Sequence, residues 1–334
     1  MMKIFKKIPK MIKEAERTLG DFDFSSFVVG CVLPRKVEAE EESCWEKKGI
    51  SRASANTKHK INKLIGARLE KKFKTRASHA EPDVSLLFDF QKEKVAIHAS
   101  PLFVYGRYTK ISREMPQNPM PNYYESSIED IVGKVLCAYA RGEEFKIHGC
   151  GREDIDARML GDGRPFILEI SEPKIRKIDL ARAEREISSS ADGKVGVSGL
   201  RFARAFEVRM VKNARPEKTY FARVITEKEI DNRDIACIEK LEGAAVLQRT
   251  PTRVAHRRAD KVRKREIKRI YARKKGAREL ELEITTSAGT YVKELISGDN
   301  GRTRPSISEI LGCAARCAEL DVIKIKHEFL SDYW

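Results

Sequence analysis

RELELEITT, residues 278–286, sets apolar Leu280, Leu282 and Ile284 between charged Glu279, Glu281 and Glu283. A helix repeats every 3.6 residues, so an alternation of period two predicts a strand with one buried and one solvated face, as in an antiparallel sheet. Strand chemistry recurs on both sides of it, in GRPFILEISEP (163–173), KVGVSGLRFA (194–203), EKTYFARVIT (217–226) and ELDVIKIKHEF (319–329). Earlier in the chain, FSSFVVGCVLP (24–34) predicts a buried strand ending at Pro34, and PDVSLLFDF (82–90) and EKVAIHASPLFVYG (93–106) carry β-branched and aromatic residues between turn signals. Helical signals are fewer. The first 20 residues place Ile4, Ile8, Met11, Ala15 and Leu19 on one helix face, and 53–73 is a long basic helical stretch. SSIEDIVGKVLCAYA (126–140) opens a helix with Ser126 or Ser127 as N-cap and Glu129 and Asp130 in the first turn. Between Pro34 and the long helix, the run Glu38–Glu42 is expected to be an acidic loop. Strands outnumber helices and do not alternate with them, which predicts an α+β fold with a mixed, mostly antiparallel sheet.

A chain of 334 residues exceeds one ordinary domain of about 150 residues. MPQNPMPNYY (115–124), with Pro116, Pro119 and Pro121, cannot be a regular helix and is the expected linker, which gives a small α+β domain over 1–124 and a larger one over 125–334. Hydrophobic content of 41% supports packed cores, and no apolar run approaches the roughly 18 residues of a membrane helix. The basic N-terminus lacks the apolar stretch of a secretory signal, so a cytoplasmic protein is expected. Seven scattered cysteines form neither CxxC pairs nor a disulfide framework and fit a reducing compartment. Cys313 and Cys317, in SISEILGCAARCAEL, are expected to share a helix face as small packing residues.

Charge is unevenly spread. The formal net charge is +16, and Arg249–Arg278 holds 14 Lys and Arg against Asp260 and Glu266, a net +12 in 30 residues. So localised a basic run points to a polyanionic partner, although a solvated face is the plainer alternative.

Two further stretches could carry chemistry. GCGREDIDARMLGDGRPFILEI (149–170) puts Arg152 and the acids Glu153, Asp154 and Asp156 after two glycines, with a second turn at Gly161, Asp162 and Gly163 before a strand. Gly-rich turns let backbone approach a ligand, and an acid near Arg152 and Arg158 has its charged form favoured. Three acids in four residues could also chelate Mg²⁺ or simply cap a turn. TTSAGTYVKELISGDNGRTRPSISEILG (285–312) ends a strand, turns at Ala288 and Gly289, and presents Tyr291 and Lys293. Tyr220 stands in a strand between Lys218 and Arg223; a lone strand tyrosine is usually a core residue with its hydroxyl at the surface.

An Arg-x-Asp core after glycine, then a KxY strand, then GTYVK resembles the motif order of the pseudouridine synthases. Gly151–Asp154 is similar to the G-R-T-D of the TruA family, and AGTYVKEL to the G-T-Y-I-R of the TruB family. The longer strings GREDIDARMLGDGRPF, LQRTPTRVAHRRADKVRKRE and AGTYVKELISGDNGRTRPSISEILG resemble the archaeal and eukaryotic tRNA pseudouridine synthases of the Pus-ten type. PLFVYGRYTKISREMPQ resembles that family's accessory domain, and the likeness runs from about Phe27 to near the C-terminus.

The resemblance implies a pseudouridine synthase domain preceded by an RNA-binding THUMP-like domain, with tRNA as substrate and positions 54 and 55 of its T-loop as targets. It implies Asp154 as the catalytic carboxylate, Arg152 as the arginine that occupies the space of the flipped base, Tyr220 as the ring on the target uracil, and Lys293 as the partner of the aspartate. Leu295 or Ile296 would supply the apolar wall, and Tyr291 joins the substrate-binding set. Within the basic stretch, Arg253, Arg257, Arg258, Arg263, Lys264 and Arg265 would contact phosphates. Isomerising uridine breaks the N-glycosidic bond, rotates the uracil and rejoins it through C5, so neither cofactor nor metal is needed. Members commonly carry CxxC pairs for zinc, whereas only Cys31 and Cys44 precede Cys137 here, so no metal and a shortened accessory domain are expected. A monomer is expected. The competing classes are a metal-dependent nuclease built on Glu153, Asp154 and Asp156, and a non-catalytic RNA-binding protein that kept the fold.

Overall fold

The computed structural model describes residues 2–48 and 57–326, without the side chains of residues 2–3, 44–48 and 257. The chain divides into two compact units: one of Met1–Phe103, Gly133–Lys146 and Glu169–Asp179, the other of Val104–Val132, Ile147–Leu168 and Leu180–Trp334.

In the first unit, β1 (Ser26–Val32) pairs parallel with β2 (Arg76–Ala77) and β3 (Val84–Asp89), and β3 pairs antiparallel with β4 (Lys94–Ala99). Helix α1 (Met2–Leu19) buries Ile4, Ile8, Met11, Ala15 and Leu19, the face its spacing predicts, in one core with Phe27, Phe88 and residues Ile61, Ile65 and Leu69 of α3 (Thr57–Phe73). Residues 53–56, which the sequence assigns to that second helix, lie outside the described residues. The expected acidic loop at Glu38–Glu42 is instead part of a helix, α2 (Arg35–Lys48). Glu, Ala and Lys are strong helix formers, and Pro34 just before the helix has no backbone N–H to leave unpaired there.

The second sheet is built from β5 (Leu102–Lys110), β6 (Phe145–Gly149), β7 (Arg158–Ile170), β8 (Val195–Ala203), β9 (Lys218–Thr226), β10 (Ala245–Arg249), β11 (Val262–Gly276), β12 (Glu279–Thr286), β13 (Thr303–Arg304) and β14 (Ala315–Ile325). Its order is β13-β10-β11-β12-β9-β14-β7-β5-β8, with β6 also on β7. The β10–β11, β11–β12, β12–β9 and β9–β14 pairs are antiparallel and β14–β7 is parallel, so the sheet is mixed as expected. Strand β12 buries Leu280, Leu282 and Ile284 with Ala222, Val224, Ile267 and Ile270, while Glu281 and Glu283 face away. Helices α4 (Ile128–Ala140), α5 (Leu180–Ser190), α6 (Ala205–Asn213), α7 (Asn232–Glu239), α8 (Val292–Ser297) and α9 (Ile307–Leu311) complete the described helices. Ser127 caps α4, its hydroxyl accepting from the Asp130 N–H at 3.0 Å.

Two local expectations differ from the structure. Gly161–Gly163 is not a turn before a strand but part of β7, where Gly161 and Gly163 have positive φ. A Cβ at Gly163 would stand 2.6 Å from the Tyr108 carbonyl oxygen, so glycine is needed for β7 to approach β5. Cys313 and Cys317 do not share a helix: α9 stops at Gly312 in the left-handed conformation, and Cys317 lies on β14. Both still pack against the core, and burial pushes the Cys317 thiol up to about 11. No described helix is long and apolar enough to cross a membrane.

Candidate active site

Register brings the chemistry-bearing segments to one end of the central strands of this sheet. Tyr220 opposes Ile284 on β12 and Val322 on β14, and Val322 in turn opposes Met159 on β7. The start of β9, the end of β12 and the start of β7 therefore lie side by side. Between β6 and β7, residues 150–157 form the loop that carries Asp154.

That loop has no ladder to satisfy its carbonyl groups, and long side chains do so instead. Arg164 donates to the Cys150 carbonyl at 2.8 Å and Gln117 to the Gly151 carbonyl at 3.0 Å. The Lys110 ammonium donates to the carbonyls of Asp154 at 3.3 Å and Ile155 at 2.7 Å, and Arg113 to that of Asp156 at 3.0 Å. Beneath the loop, the Glu153 carboxylate is buried and accepts from Arg164 at 2.8 Å and from the Tyr108 hydroxyl at 3.0 Å. Arg164 and Lys110 are both 1% exposed. Burial works against the Arg164 charge, but Glu153 together with Tyr108, Tyr220 and Cys150 outweighs it, and the guanidinium holds its proton more firmly than usual. Burial lowers Lys110, only partly offset by Glu153.

Asp154 points the other way, into a cavity of about 530 Å³ lined by Arg152, Arg164, Lys218, Tyr220, Arg258 and Tyr291 among others. The volume suits a small planar ligand rather than a helix or strand. Arg253, on the 3-10 turn Thr252–Arg257, grips both oxygens of Asp154 at 3.0 Å. Its Nε donates to Glu294 at 2.7 Å, and Glu294 is itself buried on α8. Burial works against the Arg253 charge, and Glu294 with Asp154 reverses the effect. Lys293 lies 3.6 Å from Asp154 and donates to Asp156 at 2.6 Å, so it bridges the two carboxylates. Burial would raise the Asp156 carboxyl, but Lys293 leaves it below the usual range. Tyr220 lines the same cavity and packs against the core beside it, and burial pushes its hydroxyl up to about 12.

The family model described as Pus10, C-terminal matches residues 103–326, and that of the archaeal Pus10 THUMP domain matches residues 11–89. The chain belongs to the Pus10 family. A relative in the family from Thermofilum pendens, named tRNA pseudouridine synthase Pus10, is 39% identical over 91% of this chain and 70% of its own. One of the same name from Methanocaldococcus jannaschii is 37% identical over 96% of this chain and 72% of its own. The relative from Korarchaeum cryptofilum is 35% identical over 97% and 91%. Among solved structures, a Cbf5-Nop10-Gar1 complex matches with a TM-score of 0.39 and 18% identity over 66% of this chain and 48% of that one, too slight a likeness to add to the argument.

Most residues singled out from the sequence of this family member lie together. Asp154, Arg152, Tyr220, Tyr291 and Lys293 line the cavity, as do Arg253, Arg258, Arg263 and Arg265. Tyr291 is fixed by Gln248, whose side chain bonds its N–H and carbonyl, each at 2.9 Å, while its hydroxyl accepts from Arg258 at 3.0 Å. Leu295 does not reach the cavity. It and Ile296 are fully buried in the core, and the apolar lining comes from Ala157, Val254, Val292, Leu320 and Val322. Lys264 is exposed beside a neighbouring hollow, and the Arg257 side chain lies outside the described residues.

The sequence places Glu153 among three acids without showing that it turns inward, and gives no sign of Arg164, Lys110, Tyr108 and Gln117 beneath the loop or of the pairing of Arg253 with Glu294. The spacing of Glu153 next to Asp154 was visible, but which carboxylate turns inward depends on the strand beneath. Gln117, from the proline-rich segment read as a linker, carried no signal at all.

Proposed function

We propose that this chain is a tRNA pseudouridine synthase that isomerises uridine at positions 54 and/or 55 of the T-loop, with Asp154 as the catalytic carboxylate. The observation that carries this reading is the position of Asp154 on the wall of a base-sized cavity, held at both oxygens by Arg253 and next to Lys293, with the Tyr220 ring in the same cavity. The relatives' shared name supports the reaction class, and the match to a THUMP domain supports an RNA substrate.

The target nucleotide leaves its stack and the uracil enters the cavity, where stacking on Tyr220 offsets part of the unstacking cost, about 1–3 kcal/mol per base. The C1′–N1 bond breaks as Asp154 attacks C1′ or assists proton removal. The uracil turns, C1′ bonds to C5 as the Asp154 oxygen leaves C1′ (or as the removed sugar proton returns), the C5 proton leaves and N1 regains one. Atoms and electrons balance without an external oxidant, reductant or water. Arg253 and Glu294 fix the carboxylate rotamer, which turns binding geometry into rate. Arg152, exposed at the rim, occupies the vacated stack, and Arg258, Arg263, Lys264 and Arg265 hold phosphates with Arg257. The part matched by the THUMP model, residues 11–89, adds a tRNA grip, and the enzyme works as a cytoplasmic monomer with no cofactor.

The test uses in-vitro transcribed tRNA in EDTA, with carbodiimide mapping by primer extension. New stops at positions 54 or 55 are expected; cleavage that EDTA abolishes, or binding without stops, would replace this function by a nuclease or a plain RNA-binding one.

A further inference from the structure

Part of the basic stretch is neutralised where it lies. Arg249 pairs with Asp260, Lys268 with Glu266, and Lys275 with Glu281. Four cations at one side of the cavity cluster without such partners. Lys218 opens β9, Arg215 sits in the segment before it, and Arg263 and Arg265 share one face of β11. None of the four is ion-paired among the described residues. Arg263 and Arg265 spend part of their fork on the Thr250 hydroxyl at 2.9 Å and the Gly289 carbonyl at 3.0 Å, which aims the remaining donors without neutralising the charge. Arg215, Arg263 and Arg265 also line an adjoining hollow of about 820 Å³, so the cluster stands between two neighbouring hollows.

The electrostatics carry the mark of missing negative charge. Burial, then Arg263 and Arg215, push the Arg265 guanidinium below its ordinary value. Lys218 is pushed down to about 8 by burial and by Arg164 and Arg215, with only the Cys150 thiol opposing. Like charges crowded into a half-dry site destabilise the free protein and are relieved by an anion.

We propose that Lys218, Arg215, Arg263 and Arg265 form a discrete site for a backbone phosphodiester of the substrate RNA, next to the uracil pocket and separate from the rest of the basic ribbon. This rests on the isomerase reading above. A nucleotide that swings its base into a pocket keeps its flanking phosphates at the mouth, where guanidinium forks match phosphate oxygens. Arg164 on β7, Cys150 on the loop and Arg215 face Lys218; Arg164 is already paired with Glu153, so a phosphate would supply an anion to Lys218 and Arg215.

The linkage has a definite sign. A phosphate raises the Lys218 pKa from about 8, so RNA binding takes up a proton above that pH and affinity falls as pH rises, by at most about tenfold per unit. The experiment is titration of a tRNA transcript between pH 7 and 9 with wild type, K218R and K218M, with folding checked by Tm. Wild-type affinity is expected to fall through this range. K218R should match wild type at pH 7 and lose the excess pH dependence, and K218M should bind roughly tenfold more weakly at pH 7 with a shallower salt slope. Three outcomes overturn the site: K218M binding with wild-type affinity and salt slope, K218R keeping the wild-type pH dependence, or K218M binding normally while its single-turnover isomerisation collapses, which would turn Lys218 toward the uracil. Binding is read without turnover, so absence of pseudouridine would sink the isomerase reading and leave this result interpretable.

Discussion

Glu153 and Asp154 are neighbours in sequence and opposites in environment. The Glu153 carboxylate is 2% exposed and locked to Arg164 and Tyr108; that of Asp154 is 32% exposed, faces the cavity and is held by Arg253. One region spends its charges on fixing a loop, and the other keeps a charge available to a ligand. A carboxylate that reacts must be reachable, and a loop that positions it must not move, so the two needs are met by adjacent residues turned to opposite sides.

Changing the reactive side should cost the most rate and the least stability. D154N should lower single-turnover pseudouridine formation by on the order of 10²–10⁴-fold or more, with Tm and tRNA affinity close to wild type. Appreciable turnover by D154N would remove Asp154 from the chemistry and blur the contrast with Glu153.

Changing the structural side should do the reverse. E153L leaves Arg164 buried without its partner and should cost about 3–5 kcal/mol of stability, read as a fall in the denaturant midpoint. Adding R164M should restore much of it, because an apolar pair of similar volume replaces a buried ion pair at little cost. A wild-type midpoint for E153L alone would mean that the network beneath the loop is not what holds it.

A smaller effect is expected at Tyr220, which belongs to both regions: ring in the cavity, hydroxyl buried. Y220A should lose about 1–3 kcal/mol of base binding and Y220F should keep most of it. Burial pushes the Tyr220 hydroxyl up to about 12, so it stays protonated through pH 10 and Y220F should leave the alkaline side of the pH–rate profile unmoved. Normal binding by Y220F with failed chemistry would make the hydroxyl a proton carrier.

The smallest change is expected at the rim. Charge reversal at Arg258 should flatten log K against log salt by roughly one unit for the lost phosphate contact. The same reversal at Lys275, already paired with Glu281, should leave the slope unchanged. Equal slopes for both would show that pairing on the surface does not sort phosphate-binding cations from solvated ones.

Local pattern was enough for the strand of RELELEITT, the amphipathic face of α1 and a serine cap at 126 or 127, of which the structure uses Ser127, because alternation, helical period and capping act within a few residues. Short motifs also sufficed to bring Asp154, Tyr220 and Lys293 forward as a set. Propensity was misjudged at Glu38–Glu42, where helix formers outweighed charge. Chain direction was misjudged at Cys313 and Cys317, where Gly312 ends the helix in the left-handed region. Tertiary structure alone decided that Glu153 turns inward while Asp154 turns outward, that Arg253 from 99 residues away grips Asp154, and that Leu295 lies in the core. It also decided which of the basic residues keep an unpaired charge. The reason is range: side-chain period and turn chemistry are set by neighbours along the chain, whereas an ion pair is set by strand register, and register is fixed only when the whole apolar face of the sheet is buried.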